Sequence, residues 1–338
     1  MSAEARTLAR IGWRIAGAGG ARLIGVGLAV LLGACTAASE SAPAPASAEA
    51  SAPAPAAPSA TGPSAASSAG GERAWAAACA GQDGWDQPGP PFRIHGNSWY
   101  VGTCGIAAIL VAGEDGHVLI DGGTGNAPDL IAANIAALGL RLADVKVLLA
   151  SHEHFDHVGG LAELQRRSGA RLLSSPAAAP VLASGVGAAD DPQAGIHEPF
   201  DAARVDGLVG GGEPVRLGAL SLTPVFTPGH TAGALSWQWQ SCEGDDCRTI
   251  VYADSLSPIS ADGYRFSDHP AYLAAYRAGL ERLDGLECDI LLTPHPSASA
   301  VRERIAAGSL TDPAACRRYA DSIRQRLATR LAEEAAAR

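Results

Sequence analysis

Four potential metal ligands fall close together in the stretch Ser151-His152-Glu153-His154-Phe155-Asp156-His157-Val158-Gly159-Gly160: His152, His154, Asp156 and His157. Imidazole and carboxylate donors at that density suit zinc. In an extended segment His152, His154 and Asp156 would face one way, because side chains alternate along a strand. His157 breaks the alternation and reaches a second position beside the first. Two further histidines stand in similar settings. His230 lies in Thr227-Pro228-Gly229-His230-Thr231-Ala232-Gly233, and His295 ends Leu291-Leu292-Thr293-Pro294-His295. A lone histidine is ordinary. Several strand ends that each deliver ligands are a constellation, and six donors would serve two metals while leaving positions open for water and substrate.

These residues need elements to hold them. The apolar run from Val145 to Ala150 reads as a buried strand, so the ligands follow its carboxyl end, a usual place for a site in layered folds. Gly159 and Gly160 then open a helix. Strands are expected at Ser98–Thr103, Ile106–Ala112, His117–Ile120, Ala170–Ser174, Leu220–Phe226, Ala234–Gln240, Thr249–Ala253 and Asp289–Leu292. Helices are expected at Ala127–Leu138, Leu161–Arg167, Pro176–Ala183, Pro270–Leu283 and from Asp312 to about Glu334. The long polar segment Gly185–Glu198 is a candidate lid, and His197 within it could touch a substrate. His95, His117 and His269 have no comparable strand-end setting. Two sheets packed face to face with helices outside would accommodate this order.

Outside this region the chain changes character. Arg6, Arg10, Arg14 and Arg22 precede an apolar run, Leu23 to Leu32, that is too short to span a bilayer well. Residues 1–35 therefore read as an export signal. Its end, Leu32-Gly33-Ala34-Cys35, resembles a bacterial lipobox, which implies a lipidated Cys35 and a membrane tether. The alternative is cleavage after Ala37 or Ala38 and a soluble periplasmic protein. Residues 36–72 are nearly all Ala, Ser, Pro and Gly and read as a flexible linker. The folded domain is expected over 73–338. A net charge of -10 argues against a nucleic-acid partner.

Seven cysteines leave six after Cys35, and an even number in an exported chain suggests disulfides. Cys242 and Cys247 could clip a hairpin or form half of a zinc site. A tetracysteine site needs a second close pair, which is absent, so a clip is favoured. Cys288 and Cys316 could tie the terminal helix to the His295 segment, and Cys79 and Cys104 remain. Six cysteines still allow fifteen connectivities.

Residues 90–300 resemble the metallo-β-lactamase superfamily. The resemblance rests on His-x-His-x-Asp-His at 152–157, Gly229-His230 and the late His295. The third subclass of class B β-lactamases resembles it most. Tyr100-Val101-Gly102-Thr103, Asp121-Gly122-Gly123, Ala253-Asp254-Ser255-Leu256-Ser257 and the Cys242, Cys247 pair carry that closer likeness. The resemblance implies an α+β fold, an αββα sandwich with two zincs in the groove between the sheets. It assigns His152, His154 and His230 to the first zinc, and Asp156, His157 and His295 to the second. It implies a monomer that hydrolyses the lactam amide of penicillins, cephalosporins and carbapenems with zinc-activated water, giving antibiotic resistance. Asp156 and Ser255 would serve catalysis, while Ser255, Ser257 and Tyr264 would meet the substrate. A serine lactamase is excluded because Lys146 is the only lysine and no Ser-x-x-Lys motif exists. The alternative is a thioester or lactone hydrolase of the glyoxalase II kind. Those enzymes carry a metal-bridging Asp with which Asp254 aligns; the lactamase reading makes Asp254 an outer, structural residue.

Overall fold

Period-two alternation of apolar residues builds two sheets, each apolar on both faces. The computed structural model describes residues 68–337. The first sheet runs in the order β1 (Phe92–His95), β2 (Ser98–Tyr100), β3 (Ile109–Val111), β4 (His117–Ile120), β5 (Val145–Leu149), β6 (Arg171–Ser174) and β7 (Val205–Leu208). Its pairings are antiparallel as far as β4 and parallel from β4 to β7. The second sheet contains β8 (Val215–Leu217), β9 (Leu220–Phe226), β10 (Leu235–Glu243), β11 (Asp246–Tyr252) and β12 (Ile290–Leu292), in the order β12-β11-β10-β9-β8. Only β11 and β12 pair in parallel there.

The helices are α1 (Ser68–Ala78), α2 (Pro128–Ala137), α3 (Phe155–Val158), α4 (Leu161–Ser168), α5 (Ala179–Ser184), α6 (Pro270–Asp284), α7 (Val301–Ala306) and α8 (Ala315–Ala336). Ile109, Val111, Val118 and Ile120 of the first sheet meet Trp237, Ile250, Tyr252 and Leu292 of the second in one buried cluster. The alternate residues Leu110, Leu119 and Leu148 face outward against Ile131, Ile135 and Leu164 of α2 and α4. On the opposite side Val251 and Leu291 pack on Tyr276 and Leu280 of α6 and on Tyr319 and Ile323 of α8. The result is an α+β sandwich, two mixed sheets with helices outside.

Three disulfides join distant or adjacent segments: Cys79–Cys104, Cys242–Cys247 and Cys288–Cys316. Cys242 and Cys247 stand opposite each other where β10 turns into β11.

The structure departs from the sequence expectations in several places. The chain is already helical at Ser68, inside the segment read as a linker through residue 72. Ala, Ser and Gly at its start give this helix little reason to form alone. Trp75 fixes it from below, fully buried between Phe92 and Tyr100 at ring distances of 5.3 and 5.2 Å. The strand expected from Ile106 begins only at Ile109, because Thr103 and Ile106 close a tight turn through their backbones and the Thr103 hydroxyl. The short strands β1, β7 and β8 were not expected. The segment read as an export signal, Cys35 and most of the segment read as a linker lie outside the described residues. Among the described residues no helix is long and apolar enough to cross a membrane.

The end of α8 is anchored by a buried carboxylate. Glu334 accepts hydrogen bonds from the backbone N–H groups of Phe266 and Ser267, both at 2.9 Å, and pairs with Arg330 at 3.1 Å. Burial alone would raise its pKa, but these donors outweigh it and hold the group below the usual glutamate value. A carboxyl whose folded pKa is depressed contributes stability above its unfolded pKa and loses it as pH falls through the folded one. Glu334→Gln should therefore destabilise the domain by about 1–3 kcal/mol at neutral pH. In urea titrations the gap to wild type should close as pH drops below about 4. A gap that persists unchanged into acid would show that the charge is not what holds the helix.

Candidate metal centre

Asp121 is the point from which the centre is built. It follows β4 with a left-handed backbone, φ 65°, rare for a residue with a side chain. The fully buried carboxylate accepts from Ser151 N at 2.7 Å, Ser151 Oγ at 2.8 Å and Tyr252 Oη at 2.7 Å. It thus joins the end of β4, the loop after β5 and the opposite sheet. Burial pushes its pKa up to about 6, with nearby His157 and the three donors pulling the other way.

From Ser151 the chain delivers His152 and His154, then turns into α3. His154 has extended dihedrals and caps that helix, so Asp156 and His157 lie on a helical turn. The extended alternation expected to carry Asp156 ends at His154. Gly159 and Gly160 let this turn sit against the strand-end loop: a Cβ on Gly160 would lie 2.3 Å from the Gly122 carbonyl oxygen. Glu153, between the two histidines, points away into the fold. Its carboxylate accepts from Thr231 Oγ1 at 2.7 Å and Gly233 N at 3.0 Å, tying the His152 loop to the His230 loop.

The six expected ligands converge. The His152 ring centre is 5.0 Å from His154, 4.7 Å from His230 and 4.3 Å from His157. His295 is 4.9 Å from His157, and its Nε2 is 3.4 Å from Asp156 Oδ2. Two trios bring their donor atoms within 4.8 Å of one another: His152, His154 and His230, and His152, Asp156 and His157. The second trio contains His152, where His295 was expected. His295 stands beside Asp156 at the open edge, its side chain 30% exposed.

The donors fit a metal chemically. His152 Nδ1 is 2.8 Å from Asp254 Oδ1, while its Nε2 is buried without a hydrogen-bond partner. A carboxylate behind a ligating imidazole fixes which nitrogen is free to bind. His230 is held likewise, with Nδ1 3.0 Å from both the Ser257 carbonyl oxygen and hydroxyl. Burial, reinforced by neighbouring histidines, lowers the pKa of His152 and His230 well below the usual value, which favours the neutral ligand form. Burial would lower His157 too, but Asp156, 3.1 Å away, raises it overall. Asp156 is in turn held far below the usual carboxylate range: His157 and His295 outweigh its burial.

His154, Asp156, His230 and His295 border a cleft of about 360 Å³. Ser255 and Ser257 both line it. The Ser255 hydroxyl is buried without a partner, whereas the Ser257 hydroxyl is engaged with His230. Tyr319 and Tyr276, from α8 and α6, hold this loop by donating to the carbonyls of Ser255 and Leu256.

Tyr264 does not line the cleft. Its ring stacks on His269 at 4.7 Å and packs on Phe266. Leu256, between the two serines, has a left-handed backbone, φ 49°.

His197 does reach the site, 4.5 Å from the His154 ring. The same loop supplies two residues the sequence did not single out. Asp191 Oδ1 is 3.3 Å from His154 Nε2, and Gln193 Nε2 is 3.3 Å from His230 Nε2. Trp85 walls the opposite side against Phe155 at 5.5 Å. A polar loop and a distant tryptophan carry no local signal of this placement.

A family model described as the metallo-beta-lactamase superfamily matches residues 101–295. The structure of the MIM-2 metallo-beta-lactamase is 59% identical, covers 78% of this chain and 98% of its own, and superposes with a TM-score of 0.75. MEM-A1, a subclass B3 metallo-beta-lactamase from a soil metagenome library, is 42% identical over 75% of this chain and all of its own, with a TM-score of 0.73. Among curated proteins, a hydroxyacylglutathione hydrolase of Rhodopseudomonas palustris is 33% identical over 43% of this chain and 48% of its own length. The chain spans about half the length of the curated relatives it matches. The chain belongs to the metallo-beta-lactamase superfamily, and its structural neighbours are subclass B3 enzymes.

Proposed function

We propose that the protein is a dizinc β-lactamase that opens the lactam amide of penicillins, cephalosporins and carbapenems and confers resistance to them. We further propose that it acts as a monomer in the periplasm, exported and tethered through a lipidated Cys35. Identity to whole subclass B3 enzymes supports the reading over thioester hydrolysis. The observation that carries it is the position of Asp254. A bridging carboxylate would face both metal positions, but Asp254 sits behind His152, against the nitrogen turned away from the free Nε2.

Zinc would supply a Lewis acid for the carbonyl and a water nucleophile at neutral pH. The protein's own groups do the positioning. Asp254 and Ser257 orient His152 and His230; Asp121 fixes the loop that presents both His152 and His154. Asp156, ionised beside His157 and His295, completes the second donor set. Ser255 offers its unpartnered hydroxyl to the carboxylate that lactam substrates carry next to the ring nitrogen, with Ser257 beside it.

Zinc-loaded protein should hydrolyse a chromogenic cephalosporin and leave a glutathione thioester almost untouched. Ser255→Ala should lower lactam kcat/KM by about tenfold to a hundredfold, the worth of one hydrogen bond to a charged group. Its zinc content should match wild type. Faster thioester than lactam turnover would overturn the assignment, and normal lactam turnover by Ser255→Ala would remove the serine from carboxylate binding.

A further inference from the structure

The metal cleft does not end at Ser257. Ile259 and Arg326 line it and also line a second, wider groove of about 560 Å³ between residues 258–260 and α8. Ile259 is 50% exposed, an apolar surface at the junction. The wall beyond it is fixed: Arg330 donates to Ser260 Oγ at 2.9 Å and to the Tyr264 carbonyl at 2.8 Å while pairing with Glu334.

Arg326 differs from the other arginines of its helix. Arg317, Arg318, Arg324 and Arg330 each pair with a carboxylate. Arg326 is exposed and has no hydrogen-bond or ion-pair partner among the described residues. Among the described residues it is the one arginine lining the metal cleft, where Asp83 is already paired with Arg302 at 2.7 Å. Glu333, which also lines the outer groove, stands two turns farther along α8, roughly 10 Å away by helical rise. Positive charge is therefore concentrated at the cleft end of the groove.

We propose that this groove is a subsite for the substrate substituent that projects away from the metals, and that Arg326 selects substituents bearing a carboxylate or comparable anion. The inference rests on the lactamase reading. The substituent's apolar part would cover Ile259, and its anion would meet a guanidinium suited to planar, two-point contact.

A matched pair of penicillins tests it: one with an arylacetyl side chain, the other with an arylmalonyl side chain that adds a single carboxylate. The readout is the ratio of their kcat/KM values, acid over neutral, on the zinc-loaded enzyme. Arg326→Ala should lower that ratio about fivefold, mainly through KM of the acid, as expected for an exposed charge contact. Arg326→Lys should retain part of the selectivity, and Arg326→Glu should lower the ratio further. The wild-type preference should shrink in high salt. Equal losses on both penicillins, or no change in the ratio, would overturn the subsite and leave the lactamase reading standing. Hydrolysis of neither penicillin, with thioester turnover intact, would remove both.

Discussion

His152→Ala should be among the costliest single ligand substitutions, because His152 belongs to the close trio with His154 and His230 and its Nε2 is buried without a partner. Two zincs per chain are expected by elemental analysis of the holoprotein. His154→Ala and His152→Ala should each weaken one ion and retain the other. Lactam turnover should fall about a thousandfold or more in both, since metal polarisation contributes several kcal/mol and each 1.4 kcal/mol is tenfold. Chelation of wild type should reproduce the loss, and added zinc should reverse it. The ion kept by His152→Ala is then held by Asp156, His157 and His295, the set that family resemblance assigns to it. Iron in place of zinc, or full activity in metal-free protein, would sink the metal assignment.

The second large effect is expected at Asp254. Its Oδ1 stands 2.8 Å from His152 Nδ1, and its Oδ2 accepts from Leu256 N at 3.0 Å, holding the turn that carries Ser255 and Ser257. Outer carboxylates of this kind are worth about 10–100-fold in metal affinity. Asp254→Ala should weaken zinc binding by about that factor, with a smaller loss in Asp254→Asn, whose amide oxygen still accepts from the ring. Lactam hydrolysis by both variants should recover when zinc is raised. A bridging carboxylate would behave differently: Asp254→Asn would empty a site outright, and excess zinc would not restore turnover. Unfolding of the chelated variants separates this from damage to the turn. If the apo proteins melt alike, the affinity loss belongs to the metal site.

What the sequence by itself determined is the identity of the donors and the strands that end in them. Imidazole and carboxylate side chains are chemically scarce as a cluster, and strand periodicity is written in adjacent residues. His152, His154, Asp156, His157, His230 and His295 could therefore be named from their types and spacing together with the family pattern. The burial of Val145, Val147, Leu148 and Leu149 followed from an apolar run. Tertiary structure decided what each donor leans on. Asp156 left the extended pattern because α3 packs down on the glycines after Asp121, a contact between segments far apart in the chain. Asp254 reached the back of His152, and Asp191, Gln193, Trp85 and Arg326 reached the cleft, only because separate loops and α8 converge there. Tyr264 likewise took its place, stacked on His269, only from how the segment after Ser257 folds. Ligand chemistry is local and legible one segment at a time, whereas orientation, charge pairing and access depend on contacts that exist only after the sheets have packed.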